Sequence, residues 1–255
     1  MKLKHAPIGT KVQFGVAGDF VNGRDLNWIK VREDNTFIAR TTDLVGCFDF
    51  IEPTNTSRDR RRNGNNYYPH SNINQWLNSA GNDWYVPQHA YDESPFYSKN
   101  RGFLSCLSPL ERTVLKPHKF PIQVPLGSKK EFGKITEMEA KVWLPSASNL
   151  GYMSGENSAE DSEYVFPEQI RVDLIRYAGY GVIMTRTPYQ DAGHIKVAKN
   201  YIVRKTSCSD SAYVLPMIEL DGDIELSSTC DCDLVYYFPE FQQTLSDKEM
   251  KLLFD

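Results

Sequence analysis

The sequence predicts an α+β domain of short antiparallel strands, two or three short helices and long loops. Three observations carry that expectation. Apolar and polar residues alternate in short runs near both ends of the chain. Helix starts with legible caps stand between those runs. Long stretches rich in Gly, Asn, Asp and Pro separate the elements. Strands, then helices, then strands again do not give the alternating strand–helix–strand rhythm of a parallel sheet. A chain of 255 residues suits one large or decorated domain, and folding at that size hides ~70–75% of the unfolded surface, enough to build a core without staples.

Lys11–Val16 (KVQFGV), Leu26–Val31 (LNWIKV) and Thr36–Thr41 (TFIART) alternate as an opening meander, with the Gly/Asn/Asp-rich residues 17–25 as the first turn. Ser71 precedes Ile73, Trp76 and Leu77, whose spacing puts them on one helix face. Ser108-Pro109-Leu110-Glu111 is a capping box with Pro at the first helical position. It predicts a helix whose apolar face carries Leu110, Val114 and Leu115. Between the two helices, Gly81–Gly102 reads as a long surface excursion, and Lys116–Gly133, with its prolines and lysines, as a protruding arm. Val142-Trp143-Leu144-Pro145 predicts a short buried strand, Ser146–Leu150 a small helix stopped by Gly151, and the acidic Ser154–Glu163 a loop. Gly181–Thr185, Ile195–Val203 and Ala212–Leu220 predict three strands of a terminal sheet, with Leu220–Glu225 as a hairpin turn. A short capped helix is expected from Ser246 to the end.

The formal net charge of −4 argues against a general nucleic-acid binder, which needs a basic stripe. The run Arg58–Arg62 is interrupted by Asp59 and reads as a solvated loop or an arginine–carboxylate network. No apolar run approaches the ~20 residues of a membrane span, and the N-terminus lacks the pattern of a secretory signal. The expectation is a chain made in a cytoplasm, with no membrane span. The five cysteines have no metal-type spacing and read as reduced, mostly buried thiols.

Nucleophile elbows, phosphate loops and metalloprotease helices are missing, and the five histidines stand far apart. A triad using His70 and Cys106 would have to assemble from distant segments. Glu52-Pro53-Thr54-Asn55 is the one stretch that invites calcium, which wants six to eight oxygens; no cofactor is otherwise implied. The aromatic residues Tyr67, Tyr68, Trp84, Tyr85, Tyr91, Phe96 and Tyr97 fall in segments read as loops. Tyrosine with Asn and Ser gives rigid contact area and adaptable hydrogen bonds, which suits a recognition surface. The same rings could equally pin long loops to the core.

Several segments occur together in order: MKLKHAPIGTKVQFG, RDRRRNGNNYYPHSNINQWLNS, DWYVPQHAYD, GFLSCLSPLER, KVWLPSASNLG, TRTPY and YVLPMIEL. Together they resemble an uncharacterised domain family found in phages and prophages of Gram-positive bacteria and in some bacterial surface proteins. The resemblance spans residues 1–228 and implies a C-type-lectin-like fold, similar also to formylglycine-generating-enzyme-like domains, with 229–255 as a C-terminal extension. Two departures stand out. Val182-Ile183-Met184-Thr185-Arg186-Thr187-Pro188 replaces the family's Tyr-Trp-Leu-Arg-Thr-Pro, and Tyr213-Val214-Leu215-Pro216 replaces Gly-Val-Arg-Pro, losing an arginine. The paired cysteines of the formylglycine-generating branch have no counterpart, so its oxidase activity is not carried over.

What the resemblance implies is a non-enzymatic structural protein of a phage virion, as capsid decoration, head fibre or tail tip. Its partners would be other virion proteins and a host-surface glycan. In that fold the ligand face precedes the last strands, which points to Tyr189, Gln190, Asp191, His194, Asn200 and Asp210. Alternatives from other classes are a soluble glycan-binding protein and a small enzyme or effector using His70 or Cys106. RNGNNYYPHSNINQWLN, residues 62–78, is expected to be a folding signature, with asparagines in turns and caps.

Overall fold

A computed structural model describes residues 1–16, 25–41, 44–124, 136–152, 163–179, 181–189, 191, 193–228 and 235–238. The architecture is mixed α+β, dominated by strands. In chain order the strands are β1 (Lys11–Val16), β2 (Asp25–Lys30), β3 (Thr36–Ala39) and β4 (Val45–Cys47), followed by β5 (Leu115–Lys116), β6 (His118–Ile122), β7 (Thr136–Ala140) and β8 (Val142–Trp143). The last group is β9 (Ile183–Pro188), β10 (His194–Lys199), β11 (Ile202–Ser207), β12 (Ser211–Tyr213), β13 (Met217–Leu220), β14 (Ser227–Ser228) and β15 (Val235–Tyr237). Four short α-helices lie among the described residues: α1 (Arg58–Asn63), α2 (Asn72–Leu77), α3 (Pro109–Thr113) and α4 (Glu168–Tyr177).

The larger sheet has the order β14-β15-β1-β2-β3-β13, and β5 and β8 both pair with β13. The smaller is β11-β10-β9-β12-β4, and β6 with β7 forms a separate hairpin. Pairing is mostly antiparallel; β15 beside β1 and β12 beside β9 are parallel. The two ends of the described chain meet on the larger sheet. Leu3 N donates to Ile224 O and Lys4 N to Gly222 O, while Asp223 takes the ammonium groups of Lys2 and Lys4. The buried Lys30 ammonium fastens the first residues from below, donating to the carbonyls of Leu3 and Ala6 and to Asn35 Oδ1.

Local signals account for the helices that form where expected. Ser71 Oγ accepts from Asn74 N, and Ile73, Trp76 and Leu77 are buried. Ser108 and Glu111 make a reciprocal capping box, and Glu111 Oε1 also accepts from Gly15 N on β1, so the cap doubles as a tertiary tie. That helix is too short for the apolar face expected of it. It ends at Thr113, Leu110 is 42% exposed, and Leu115 belongs to β5.

The aromatic residues divide between the two roles considered for them. Trp84 stacks on Tyr97 with ring centroids 5.3 Å apart. Tyr97 meets Trp76 edge-on, and Trp76 meets Phe103, so a chain of rings pins the 81–102 excursion to α2. Trp84 Nε1 donates to Asn100 O, and Tyr97 Oη to Cys47 O. Val86, Tyr91 and Phe96 on the same excursion are exposed.

Several expectations need correction. Ile195–Val203 is not one strand: the chain reverses at Asn200 and Tyr201, both at positive φ (50° and 62°), and returns as β11. Ala212–Leu220 is split between the two sheets, because Pro216 has no N–H to give a ladder and Val214–Pro216 crosses from β12 to β13. Ser146–Leu150 is a series of turns closed by Gly151 at φ 83°, with Ser146 and Asn149 bonded to each other's backbone. Residues 116–133 contain β6, whose Phe120 and Ile122 are buried; 125–135 lie outside the described residues. Leu220–Glu225 turns toward the N-terminus and is no hairpin, since β14 pairs with β15 and β13 with β3. The basic run forms α1, capped by Ser57. The helix α4 was not anticipated; Ile170, Leu174 and Ile175 bury one side of it.

In the last described segment, β15 pairs with both β1 and β14, and Phe238 meets Phe14 edge-on. The part of 229–255 that is described is thus built into the larger sheet, and the helix expected from Ser246 lies outside the described residues. Leu215, where the resemblance leads to an arginine, is buried among apolar neighbours, so no charge needs a partner there.

Candidate functional site

The asparagine-rich signature builds the floor under the predicted ligand face. Gly64 sits at φ 79°, and a Cβ there would come within 2.6 Å of Phe50 O and 2.8 Å of Asp49 O, so only glycine fits the turn. The two oxygens of buried Asp49 accept from Asn65 N at 3.0 Å and Asn72 N at 3.2 Å, tying the turn to the start of α2. Burial pushes the Asp49 carboxyl well above the ordinary carboxylate range. Asn66 is fully buried. Its Nδ2 donates to the carbonyls of Tyr189 at 3.1 Å and His194 at 2.9 Å, and to that of Asp191. A side chain from the first third of the chain thereby fixes the loop between β9 and β10.

On that loop three of the six expected residues come together. Asp191 Oδ1 lies 2.7 Å from His194 Nδ1, and Asp191 Oδ2 lies 2.5 Å from Lys205 Nζ on β11. The same ammonium stands 4.9 Å from the centroid of the Tyr189 ring. Burial raises the Asp191 carboxyl, but hydrogen bonds from Lys205 and His194 outweigh it and leave the pKa below the ordinary value. A depressed carboxylate contributes stability above its unfolded pKa and loses it as the pH falls through the folded one. The cluster therefore tightens at neutral pH and loosens in acid. It presents an aromatic face, an ammonium, an imidazole and a carboxylate, all partly exposed, the mixture that can hold hydroxyl-rich or acidic groups.

Asp210 has a structural task beside this cluster, its Oδ2 accepting from Thr206 Oγ1 and Ser207 N. Asn200 is at the other end of the β10–β11 hairpin, in the turn beyond the five ladder steps from His194 to Lys199, which span about 17 Å at strand rise. It does not share the face. Gln190 lies outside the described residues. Lys205 was missed by the sequence reading, because its place beside Asp191 depends on the β10–β11 register.

The two residues of the alternative catalytic pair have these neighbours. His70 packs edge-on against Tyr67 and near His89, whereas Gly15 on β1 is the neighbour of the Cys106 carbonyl. Burial lowers the pKa of His70, with His89 and Arg60 adding to it. Burial, with Asp49 adding, pushes the Cys47 thiol up to about 12 and the Cys208 thiol well above its ordinary value. Thiols so shifted are scarcely ionised at neutral pH. In a Cys106→Ser/Cys230→Ser/Cys232→Ser background at pH 8, the disulfide reagent DTNB is expected to leave Cys47 and Cys208 unlabelled over minutes and to label them at once in denaturant. Rapid labelling of the native protein would show that the thiols are accessible and activated.

A second polar cluster joins segments that the sequence reading did not join. Ligand-type atoms of Glu52, His89 and Asp92 lie within 4.8 Å of one another. The expected calcium stretch contributes only its glutamate. Asn55 Oδ1 accepts from Ser57 N and its Nδ2 donates to Glu52 Oε2, so the Asn55 amide serves the loop itself. Tyr85 is held up at about 12 by burial, with the nearby Asp92 and Asp49 charges adding to the effect.

These features define a strand-dominated α+β domain with a pinned excursion and a preorganised loop face, and no helix among the described residues is long and apolar enough to cross a membrane. A family model described as a domain of unknown function, DUF6273, matches residues 33–230, and the chain belongs to that family. No curated protein and no solved structure matches the chain.

Proposed function

We propose that the chain is a structural protein of a phage virion, displayed on the particle as capsid decoration, head fibre or tail tip. Its core is read as C-type-lectin-like, and its role as binding rather than catalysis. The observation that carries the binding role is the Tyr189, Asp191, His194 and Lys205 face, held from beneath by the fully buried Asn66. A preorganised face loses little entropy on engaging a ligand, and many copies on a particle convert weak single contacts into avidity. Host-surface glycan is the ligand class that an aromatic ring flanked by charged hydrogen-bonding groups suits. The other partners in this reading are neighbouring capsid or tail proteins. Short strands separated by long loops, with the first and last described strands paired on one sheet, support the lectin-like assignment.

The test is peptide mass spectrometry of purified particles of the phage carrying the gene, with many copies per particle expected. Absence from the particles overturns the virion reading. Tyr189→Ala with His194→Ala is expected to lower adsorption to host cells at least tenfold while the particles still assemble. Unchanged adsorption removes the ligand face.

A further inference from the structure

The cluster of Glu52, His89 and Asp92 stands apart from the loop face and calls for its own account. Glu52 follows β4, its backbone N–H donating to Arg60 O on α1. Its side chain is buried, the residue being 1% exposed. One oxygen, Oε2, is held by Asn55, while Oε1 is buried without a hydrogen-bond partner. Asp92 repeats the arrangement on the excursion. Its Oδ2 accepts from the backbone N–H groups of Gln88 at 2.6 Å and His89 at 2.8 Å, which fixes the turn. Its Oδ1 is buried without a hydrogen bond, 3.3 Å from His89 Nδ1. Tyr85 Oη is a further buried oxygen with no partner.

Two carboxylates are directed into one partly buried cluster with His89, whose ring stands 5.6 Å from that of His70. Buried charges of this kind are paired or coordinate a metal. Each carboxylate keeps one oxygen in a fixed bond to the chain and leaves the other unused, so the unused oxygens are oriented before any ligand arrives. His89 is partly exposed, which opens a path from solvent.

We propose that Glu52, His89 and Asp92 form a binding site for a divalent transition-metal ion that staples the 81–102 excursion to the loop after β4. Neighbouring ligands on a metal with bonds of 2.0–2.2 Å stand roughly 3–4 Å apart, so the cluster closes on an ion by a small inward rotation of its side chains from the present spacing, within 4.8 Å. One imidazole nitrogen with two carboxylate oxygens suits zinc, manganese, iron(II), cobalt or nickel. Calcium, which takes six to eight oxygens, is disfavoured. Glu52 and the His89/Asp92 pair lie on separate segments, so an ion bridging them ties the excursion down in the folded state only, and its binding energy adds to folding stability.

The experiment uses the full chain after chelator treatment, titrated separately with Zn²⁺, Mn²⁺, Co²⁺ and Ca²⁺. Binding is followed by calorimetry, melting temperature and the visible absorption of Co²⁺. One equivalent of a transition ion is expected to bind and, at a hundredfold excess over Kd, to raise Tm by roughly 5–10 °C. His89→Gln and Asp92→Asn, both at partly exposed positions and expected to fold, should weaken binding at least a hundredfold and abolish the Co²⁺ band. Glu52→Gln should do the same, and His194→Gln should leave both unchanged. The proposal is overturned if the wild-type chain shows no transition-ion binding, or if stoichiometric binding survives His89→Gln and Asp92→Asn. It is equally overturned if binding is lost only in His194→Gln, or if calcium binds as tightly as the transition ions.

Discussion

Glu163→Leu is expected to destabilise the protein by about 3–5 kcal/mol, because it removes a carboxylate that pairs with a buried guanidinium. Arg186 on β9 is fully buried. Its Nη1 donates to Leu144 O, its Nη2 pairs with Glu163, and its guanidinium carbon stands 4.7 Å from the centroid of the Phe120 ring. Glu163 is itself mostly covered, its side chain 13% exposed, so solvent screening does little to weaken the pair. The sign of the effect depends on which partner goes. Removing the carboxylate takes one charged partner from a guanidinium that stays buried away from water. Replacing both members with apolar residues removes the charge altogether, and such swaps are often neutral. The double variant Arg186→Met/Glu163→Leu should therefore recover most of what Glu163→Leu loses, while Arg186→Met alone falls between them. Urea denaturation of the four proteins closes the cycle. Equal losses in Glu163→Leu and in the double variant would show that the loss is one of packing and not of charge.

That arginine was visible in the sequence only as part of the TRTPY motif, and its partner was not visible at all. The contrast holds through the molecule. The caps at Ser71 and Ser108 are decided by residues three positions away, so both were legible and both form. The β10–β11 reversal was not, because Asn200 and Tyr201 reach positive φ without the Asn-Gly pair that announces such a turn. The helix α4 begins after Pro167 with no side-chain cap, so its start carries none of the usual signal. The candidate face shows the same division. Asp191 and His194 are three residues apart and were foreseen together. Lys205 reaches them through a strand register, and Asn66 from more than 120 residues away. Glu52 and Asp92 likewise meet only because a chain of aromatic rings folds the excursion back on α2. Distances of that kind are set by the packed core and not by any local pattern.

The second large effect is expected at Asn66. Asn66→Asp keeps the shape of the side chain and reverses what it offers. Three backbone carbonyls, from Tyr189, Asp191 and His194, converge on the Nδ2 of this fully buried residue. Only a donor can serve them. An ionised carboxylate would face three acceptors with no water to mediate, so Asn66→Asp should cost more than Asn66→Ala, which only leaves the carbonyls unsatisfied at about 1–3 kcal/mol. Repulsion also gives the variant a pH signature. The introduced carboxyl is driven to hold its proton in the folded state, so its folded pKa lies above the unfolded value near ~3.9. Such a group leaves stability intact below the unfolded pKa and removes it as the pH rises toward the folded one. Asn66→Asp should thus approach Asn66→Ala in stability near pH 4 and fall below it by pH 7. Chemical denaturation at both values reads this directly, and hydrogen exchange reads where the loss is felt. Amide protection at 189 and 194 should fall first, since those residues lose their floor, while α2 stays protected through Asp49 and Ser71. Parallel loss of protection in α2 and in the loop would show that the asparagine signature acts only as part of the core. Selective loss at the loop would make Asn66 the link through which that signature positions the face.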